Sequence, residues 1–208
     1  MIICYHTTID KPWNGSELEQ KMALVPSALK EKILKKRNHS DIQLSVCGNL
    51  LILELLKHFK LDLSLDELLY NPYHRPYFNV TFDFNVSHAG NRVICCATTR
   101  GKVGIDIELS GPVNFDYDNY FTTTEQQNIR SKKDPDTEFF KYWTRKEALL
   151  KAIGTGVYTP LLTMDVSEDI FTYKGETYYL SPIDIDPAYQ SCIAHTVKQE
   201  ITVQKVMV

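Results

Sequence analysis

The sequence lacks the long apolar runs that mark membrane-spanning and secreted proteins. Its longest apolar candidate, Leu50–Leu56, is interrupted by Glu54 and falls far short of the ~20 residues that cross a bilayer. The opening stretch, Met1–Trp13, has neither a basic start nor a sustained apolar segment, so it predicts no signal peptide. We therefore expect a cytoplasmic protein with no membrane partner.

The chain also lacks an excess of basic charge and a metal-binding or disulfide pattern of cysteines. It has 23 Lys and Arg against 26 Asp and Glu, a net charge of −3. This charge excludes the overall basic field of non-specific nucleic-acid binders, so we expect no nucleic-acid partner. The five cysteines show no CxxC spacing. That pattern favours reduced, mostly buried thiols over a disulfide framework or a zinc site.

The composition and the hydrophobic periodicity predict an α+β protein. With 208 residues, 43% of them hydrophobic, the chain can build one medium domain or two small halves. Helical spacing predicts helix within Pro26–Phe59 and over Thr137–Ile153, and it leaves Ser110–Asp136 irregular. Alternation predicts strands at Thr81–Ser87, Val93–Thr98 and Val103–Glu108. Since helices and strands do not alternate regularly, α+β is favoured over a doubly wound sheet.

The third predicted strand carries two carboxylates on one face. Asp106 and Glu108 point to one side of the strand, while Ile105 and Ile107 point to the other. Neighbouring carboxylates repel each other unless a cation neutralises them, and hard oxygen ligands suit Mg²⁺. A half-buried strand with a solvated polar face explains the same pattern, so the motif alone leaves both interpretations open.

The last predicted helix carries an aromatic, an acidic and a basic residue along one stripe. Trp143, Glu147 and Lys151 are spaced four residues apart and share a face. A carboxylate one turn before an amine can be a metal ligand or a base beside a phosphate-binding cation. It can equally be a helix-surface ion pair, worth only ~0.3–0.5 kcal/mol.

Three further groups could contact an anion. Ser87 and His88 are adjacent on a strand and face opposite ways, which excludes a serine–histidine hydrolase pair; they can donate to phosphate or be structural. Arg75, on a turn before Pro76, has the guanidinium geometry that suits phosphate. A basic cluster is either a solvated helix face or an aid to an anionic ligand: Lys30, Lys32, Lys35, Lys36 and Arg37.

Together these motifs resemble a known family in their order and spacing. Arg75-Pro76, Phe84–His88, Gly104–Glu108 and Trp143–Lys151 are similar to the motifs of the 4′-phosphopantetheinyl transferases of the surfactin-synthetase-activating type. The resemblance implies two similar α+β subdomains, residues 1–102 and 103–208, related by pseudo-twofold symmetry with the active site at their interface. It also implies that a monomer suffices.

The resemblance implies transfer of the 4′-phosphopantetheine arm of coenzyme A to a serine of an apo acyl or peptidyl carrier protein, with release of 3′,5′-ADP. It implies Mg²⁺ held by Asp106, Glu108 and Glu147, catalysis by Glu147, Lys151 and His88, with Glu147 as base, and a supporting role for Glu125. The implied coenzyme A contacts are Arg75, Pro76, Ser87, His88, Lys32, Lys146 and Lys151. A non-catalytic coenzyme A or carrier-binding module and a Mg²⁺-dependent coenzyme A phosphohydrolase are the alternatives.

The sequence departs from the family pattern in its first half. Leu29 and Leu44 stand where relatives often carry basic residues, so the grip on the nucleotide is expected to be weaker or rebuilt from Lys36, Arg37 or Arg92.

The irregular stretch before the last helix predicts a docking surface for the carrier, because it combines aromatic and basic residues. The alternative is that its aromatics cover the second core. These residues are Phe115, Tyr117, Tyr120, Phe121, Arg130, Lys132 and Lys133.

Overall fold

The computed structural model describes residues 1–114, 118–156 and 159–208. The helices are α1 (Gly15–Ala23), α2 (Ser27–Leu34), α3 (His39–His58), α4 (Thr123–Arg130) and α5 (Pro135–Ile153). The strands are β1 (Ile2–Thr8), β2 (Leu69–Tyr70), β3 (Pro76–Tyr77), β4 (Asp83–Ala89), β5 (Arg92–Thr98), β6 (Val103–Leu109), β7 (Ile170–Tyr173), β8 (Glu176–Pro182), β9 (Tyr189–His195) and β10 (Ile201–Lys205). Short 3₁₀ turns lie at Leu65–Glu67 and Leu161–Thr163.

Two four-stranded sheets organise the chain, which confirms the α+β prediction. The first has the order β10-β1-β5-β4 and the second the order β6-β9-β8-β7. In the first sheet, β5 lies between β1 and β4 and pairs antiparallel with both. In the second sheet, β9 lies between β6 and β8 and pairs antiparallel with both. The strand order β1-β5-β4 is thus repeated as β6-β9-β8. The pseudo-twofold relation itself stays a prediction.

The last strand corrects the predicted division of the chain. The change from one sheet to the other falls between β5 and β6, next to the predicted boundary after Lys102. However, β10 returns to the first sheet, where it runs parallel to β1 with Ile201 opposite Ile2. The assignment of residues 103–208 to the second half is therefore wrong for this strand, and the rest of the division stays a prediction.

The two sheets pack face to face, and each carries one long helix on its outer face. The core between the sheets joins β1, β5, β6 and β9 and includes Ile105 and Ile107. α3 covers the outer face of the first sheet and α5 the outer face of the second. Because Ile105 and Ile107 point inward, Asp106 and Glu108 point toward α5, as strand alternation requires.

Two helical regions differ from their sequence prediction. The Pro26–Phe59 stretch is divided into α2 and α3, which are separated by Lys35–Asn38. α4 lies inside the stretch predicted to be irregular. Its start is a capping box, in which Thr122 and Glu125 satisfy each other's backbone N–H groups. This cap was readable in the sequence, but the helix is short and polar, so its hydrophobic periodicity is weak.

The cysteines are as predicted, free and buried. Burial raises the pKa of the Cys4 and Cys192 thiols to about 12, which keeps both protonated. None of the helices that the structure describes combines the length and apolar character that a bilayer crossing needs.

Candidate active site

The edges of the two sheets meet at β4 and β6, where side chains take the place of backbone pairing. Asp83 Oδ2 accepts a hydrogen bond from the Val103 amide at 2.7 Å. Two residues further along each strand, Asn85 Oδ1 accepts from the Ile105 amide at 3.0 Å. Side chains on the polar face of β4 therefore accept hydrogen bonds from backbone N–H groups along the edge of β6, and the two strands run in parallel register. Strand alternation alone puts Asp83 and Asn85 on one face, but it does not reveal this role for them.

The next step along the same ladder reaches Asp106. Ser87 Oγ donates to Asp106 Oδ1 at 2.8 Å, and Lys151 Nζ donates to the same oxygen at 2.6 Å. Lys151 Nζ also donates to Ser87 Oγ at 2.9 Å. Asp106 is 3% exposed, and its Oδ2 is buried with no hydrogen-bond partner among the described residues. Oδ1 of this carboxylate thus accepts two hydrogen bonds, and Oδ2 accepts none from the described residues.

Gly104 allows α5 to rest directly on the backbone of β6. A Cβ at Gly104 would lie 2.2 Å from the Ala148 carbonyl oxygen and 2.3 Å from the Ala152 nitrogen. Any side chain at this position would force the helix away from the strand. The close approach brings the Glu147 and Lys151 stripe of α5 over the carboxylates of β6, and sequence reasoning missed this reason for the glycine.

An open cleft of about 420 Å³ lies where β4, β6 and α5 meet. Its polar lining consists of residues that the sequence motifs singled out: Ser87, His88, Asp106, Glu108, Trp143, Glu147 and Lys151. Residues far apart in the sequence are therefore brought into one cavity, and each of the three elements contributes to it.

Burial raises the pKa of two carboxylates in the cleft, Glu108 and Glu147. Burial, helped by the charges of Asp106 and Glu147, raises the pKa of Glu108 to about 7, against the opposing effect of Lys151. Burial and Asp106 likewise raise the pKa of Glu147. Burial lowers the pKa of His88, as do the nearby charges of Lys36 and Lys151. The cleft thus holds an excess of carboxylates whose ionisation is unfavourable without a further cation.

The residues present fit a divalent cation. Within the described residues, no three possible ligands already converge at the spacing of a metal shell. Nevertheless, Asp106, Glu108 and Glu147 line one cavity, Asp106 Oδ2 has no hydrogen-bond partner among the described residues, and carboxylate oxygens are the ligands that Mg²⁺ prefers. A divalent cation would offset the burial and the repulsion that together raise the pKa of Glu108 and Glu147.

Comparison with known proteins agrees with this site. Residues 102–199, which include Asp106, Glu108 and Glu147, match the family model of the 4′-phosphopantetheinyl transferase superfamily. The 4′-phosphopantetheinyl transferase Sfp of Bacillus subtilis strain 168 is 27% identical over 206 residues, which cover 92% of both chains. A second 4′-phosphopantetheinyl transferase of Bacillus subtilis is 29% identical over 92% of this chain and 85% of its own. Over most of its length the chain is thus similar to 4′-phosphopantetheinyl transferases, and residues 102–199 match the model of their superfamily.

The similarity of this chain extends beyond bacterial proteins. The human L-aminoadipate-semialdehyde dehydrogenase-phosphopantetheinyl transferase is 28% identical over 197 residues, which are 84% of this chain and 59% of the human protein. The family model begins at the start of β6 and ends beyond β9, so it covers the sheet that carries the carboxylates.

Lys146 is not in the cleft, which corrects its assignment as a coenzyme A contact. Its side chain is fully buried and forms an ion pair with Glu125 at 2.7 Å. Its Nζ also donates to the carbonyls of Leu161 and Met164, at 2.9 and 2.5 Å. Lys146 precedes Glu147 on the helix and so faces about 100° away from it. Both Lys146 and Glu125 therefore organise the loop after α5.

Arg75 is fully engaged by hydrogen bonds within the protein. It binds Asp83 through two hydrogen bonds, at 2.7 and 2.9 Å, and donates to the carbonyls of Val103 at 2.8 Å and Lys151 at 3.0 Å. These bonds tie the turn before Pro76 to β6 and α5. The predicted contact with the nucleotide stays a prediction, and it requires that some of these bonds be exchanged.

The basic residues of the first half differ in their relation to the cleft. Lys32 is exposed, with its Nζ 4.4 Å from the centre of the Tyr70 ring, a cation–π contact. Lys36 acts on the cleft, because its charge helps to lower the pKa of His88. Arg92 forms an ion pair with Asp186. Compensation for the missing basic residues by Lys36, Arg37 or Arg92 stays a prediction.

The predicted docking surface is only partly described. Phe115 and Tyr117 lie outside the described residues. Phe121 is fully buried in the second core, so for this residue the alternative explanation is correct. Tyr120 is 40% exposed. Arg130 forms an ion pair with Asp118, which belongs to the same stretch.

Proposed function

We propose that this chain transfers the 4′-phosphopantetheine group of coenzyme A to a serine hydroxyl of an apo acyl or peptidyl carrier protein and releases 3′,5′-ADP. One observation carries the proposal. In the part of the chain that matches this superfamily, Asp106, Glu108, Glu147 and Lys151 line one cleft between β6 and α5. Since one chain supplies this whole lining, we also propose that a monomer is active.

We propose Asp106, Glu108 and Glu147 as the ligands of a Mg²⁺ ion. When bound, Mg²⁺ neutralises negative charge on the pyrophosphate as its bond breaks. Lys151 adds a fixed positive charge from the floor of the cleft, where charge develops on the phosphate oxygens. His88 has a lowered pKa and is therefore neutral near pH 7, so it contributes a hydrogen bond rather than a charge.

We propose Glu147 as the general base. The attacking serine must lose its proton as its oxygen bonds to phosphorus, and a carboxylate oxygen of Glu147 accepts this proton directly or through water.

The test is transfer itself. The protein is incubated with coenzyme A, MgCl₂ and a panel of apo carrier proteins, and each carrier is examined by intact mass spectrometry. We expect at least one carrier to gain the phosphopantetheine arm, with one 3′,5′-ADP released for each arm added. An arm that ends in solution would indicate a coenzyme A phosphohydrolase instead, and no reaction at all would indicate a binding module.

A matched pair of variants tests the cleft. Asp106→Asn removes a charge at nearly constant shape, and we expect it to lower kcat/KM by about two to three orders of magnitude. The control is Glu176→Gln, on β8 of the same sheet and outside the cleft, which should retain activity. Wild-type rates in Asp106→Asn, or undiminished transfer in excess EDTA, would contradict the proposed metal site.

A further inference from the structure

The Ser87 hydroxyl lies inside the carboxylate and lysine network rather than at its rim. Ser87 is 8% exposed on β4. Its Oγ donates to Asp106 Oδ1 at 2.8 Å and accepts from Lys151 Nζ at 2.9 Å, while Lys151 Nζ donates to the same Asp106 oxygen at 2.6 Å. The three groups form a closed triangle of hydrogen bonds that joins β4, β6 and α5.

This triangle uses the only proton of the Ser87 hydroxyl. A serine hydroxyl has one donor, and here Asp106 accepts it. The same contact determines which carboxylate oxygen of Asp106 is occupied, because both donors converge on Oδ1. The buried Oδ2 has no hydrogen-bond partner among the described residues, so it is the oxygen with ligand capacity left.

We propose that Ser87 is a positioning residue for Asp106: its hydroxyl fixes the carboxylate through Oδ1 and leaves Oδ2 available to the divalent cation. On this assignment, Ser87 acts on the metal through Asp106. Groups that hydrogen-bond to a metal-ligating carboxylate orient it and raise its affinity for the metal. The inference rests on the proposed function, because it takes Asp106 to be a ligand of that cation.

The test separates metal binding from coenzyme A binding. Mn²⁺ binding to the full chain, with and without coenzyme A, is measured by water-proton relaxation and checked with Mg²⁺ by calorimetry. We expect Ser87→Ala to weaken Mn²⁺ binding about 10- to 100-fold and to leave the KM for coenzyme A unchanged. Ser87→Thr, which retains the hydroxyl, should recover most of the affinity.

Ser191→Ala is the matched control. Ser191 is also a buried strand serine, 6% exposed, and its hydroxyl donates to the Ile183 carbonyl at 2.7 Å, away from the cleft. It should bind Mn²⁺ like the wild type. Circular dichroism verifies that each variant is folded, and if Ser87→Thr does not fold, the comparison of the two alanine variants decides.

Two other results would overturn the inference, and they differ in what else they affect. If Ser87→Ala raises the KM for coenzyme A while Mn²⁺ affinity is unchanged, Ser87 is a phosphate contact and the proposed function stands. If the wild type binds no Mn²⁺ under either condition, the metal part of the proposed function fails together with this inference. The mass-spectrometric transfer assay reports separately on the reaction.

Discussion

Each half of the molecule packs a long helix on a sheet through a glycine, but the two contacts differ in what the glycine faces. In the first half the glycine is on the helix, and a Cβ at Gly48 would lie 3.2 Å from a methyl group of Val86. In the second half it is on the strand, and a Cβ at Gly104 would lie 2.2 Å from the backbone oxygen of Ala148. A side chain can yield by a few tenths of an ångström, whereas a helix backbone cannot.

The difference corresponds to what each helix does. α3 is buried on most of its faces and supplies the first core; none of its described residues lines the 420 Å³ cleft. α5 lies closer to its sheet and supplies Trp143, Glu147 and Lys151 to that cleft. The tighter contact, between α5 and β6, therefore fixes the positions of the side chains that line the cleft. The looser contact, between α3 and its sheet, packs apolar side chains into the first core.

The largest effect on stability should come from Lys146, the charged residue that α5 buries in the second core. Among its described residues, α3 buries no charged side chain. Lys146→Met leaves Glu125 as a buried charge without its partner, which we expect to cost about 3–5 kcal/mol in the free energy of unfolding. The double variant Lys146→Met/Glu125→Leu should recover most of this loss, because it removes both charges. Urea denaturation measures both.

The exposed pair of Lys102 and Glu176 is the control for the buried pair. Lys102→Met should cost less than about 1 kcal/mol, since solvent screens exposed ion pairs. Equal losses in Lys146→Met and Lys102→Met would contradict the structural role of the buried pair.

The next effect tests the two glycines directly. Gly104→Ala should destabilise the protein by about 3 kcal/mol or more and disrupt transfer, because the new methyl group meets backbone. Gly48→Ala should stay within about 1 kcal/mol of the wild type, because helix propensity gains about as much as the strain against Val86 costs. Thermal denaturation followed by circular dichroism gives both values.

Gly111→Ala is the control, since a Cβ at Gly111 meets nothing within 4 Å and its φ is not positive. It should be neutral. If Gly48→Ala were as damaging as Gly104→Ala, the distinction between a contact with a side chain and a contact with backbone would not hold.

A smaller effect concerns pH and is confined to the second half. In EDTA, the folded protein binds more protons at Glu108 than the unfolded chain does between pH 4.5 and about 7, so this group's contribution to stability falls as the pH rises through that window. Mg²⁺ binds the ionised carboxylates and must displace these protons. A fixed, subsaturating Mg²⁺ concentration should therefore raise the Tm more at pH 8 than at pH 6.

Differential scanning fluorimetry measures this difference, and Asp106→Asn should reduce it. An equal Tm increase at both pH values would mean that Mg²⁺ does not compete with protons at Glu108 and Glu147.

The smallest effect concerns the surface beyond the cleft. Lys132 and Lys133 are exposed before α5, and reversing both to Glu should raise the KM for an acidic apo carrier severalfold and make it less sensitive to salt. The KM for coenzyme A should not change. Lys11→Glu/Lys198→Glu alters the net charge equally at distant exposed positions and should leave both constants unchanged. Carrier kinetics that are the same in the two double variants would place the docking surface elsewhere.

Much of the site was predictable because it depends on local periodicity. Alternation along a strand does not depend on tertiary context, so Asp106 and Glu108 could be placed on one face from the sequence. The stripe through Glu147 and Lys151 was predictable for the same reason. The same helical spacing implied that Lys146 points away from Glu147, whereas the family resemblance implied a contact with coenzyme A. In the structure Lys146 points away from the cleft, as the spacing implied.

Other features had no local signal. The pairing of β1 with β10 joins the two ends of the chain, and nothing in either segment specifies the other. α1 and α4 are short and polar, so their capping boxes were their main signal, and periodicity alone passes over such helices.

The sequence by itself determined which chemical groups the chain carries and which of them share a face, because backbone geometry sets those relations within a few residues. Only the tertiary structure decided which of these groups remain available to a ligand. Arg75 donates to the carbonyl of Lys151, 76 residues away, and Ser87 donates to Asp106, 19 residues away. A hydrogen bond commits a donor wherever its acceptor lies in the sequence, so the availability of Arg75 and Ser87 follows from the packing of β4, β6 and α5.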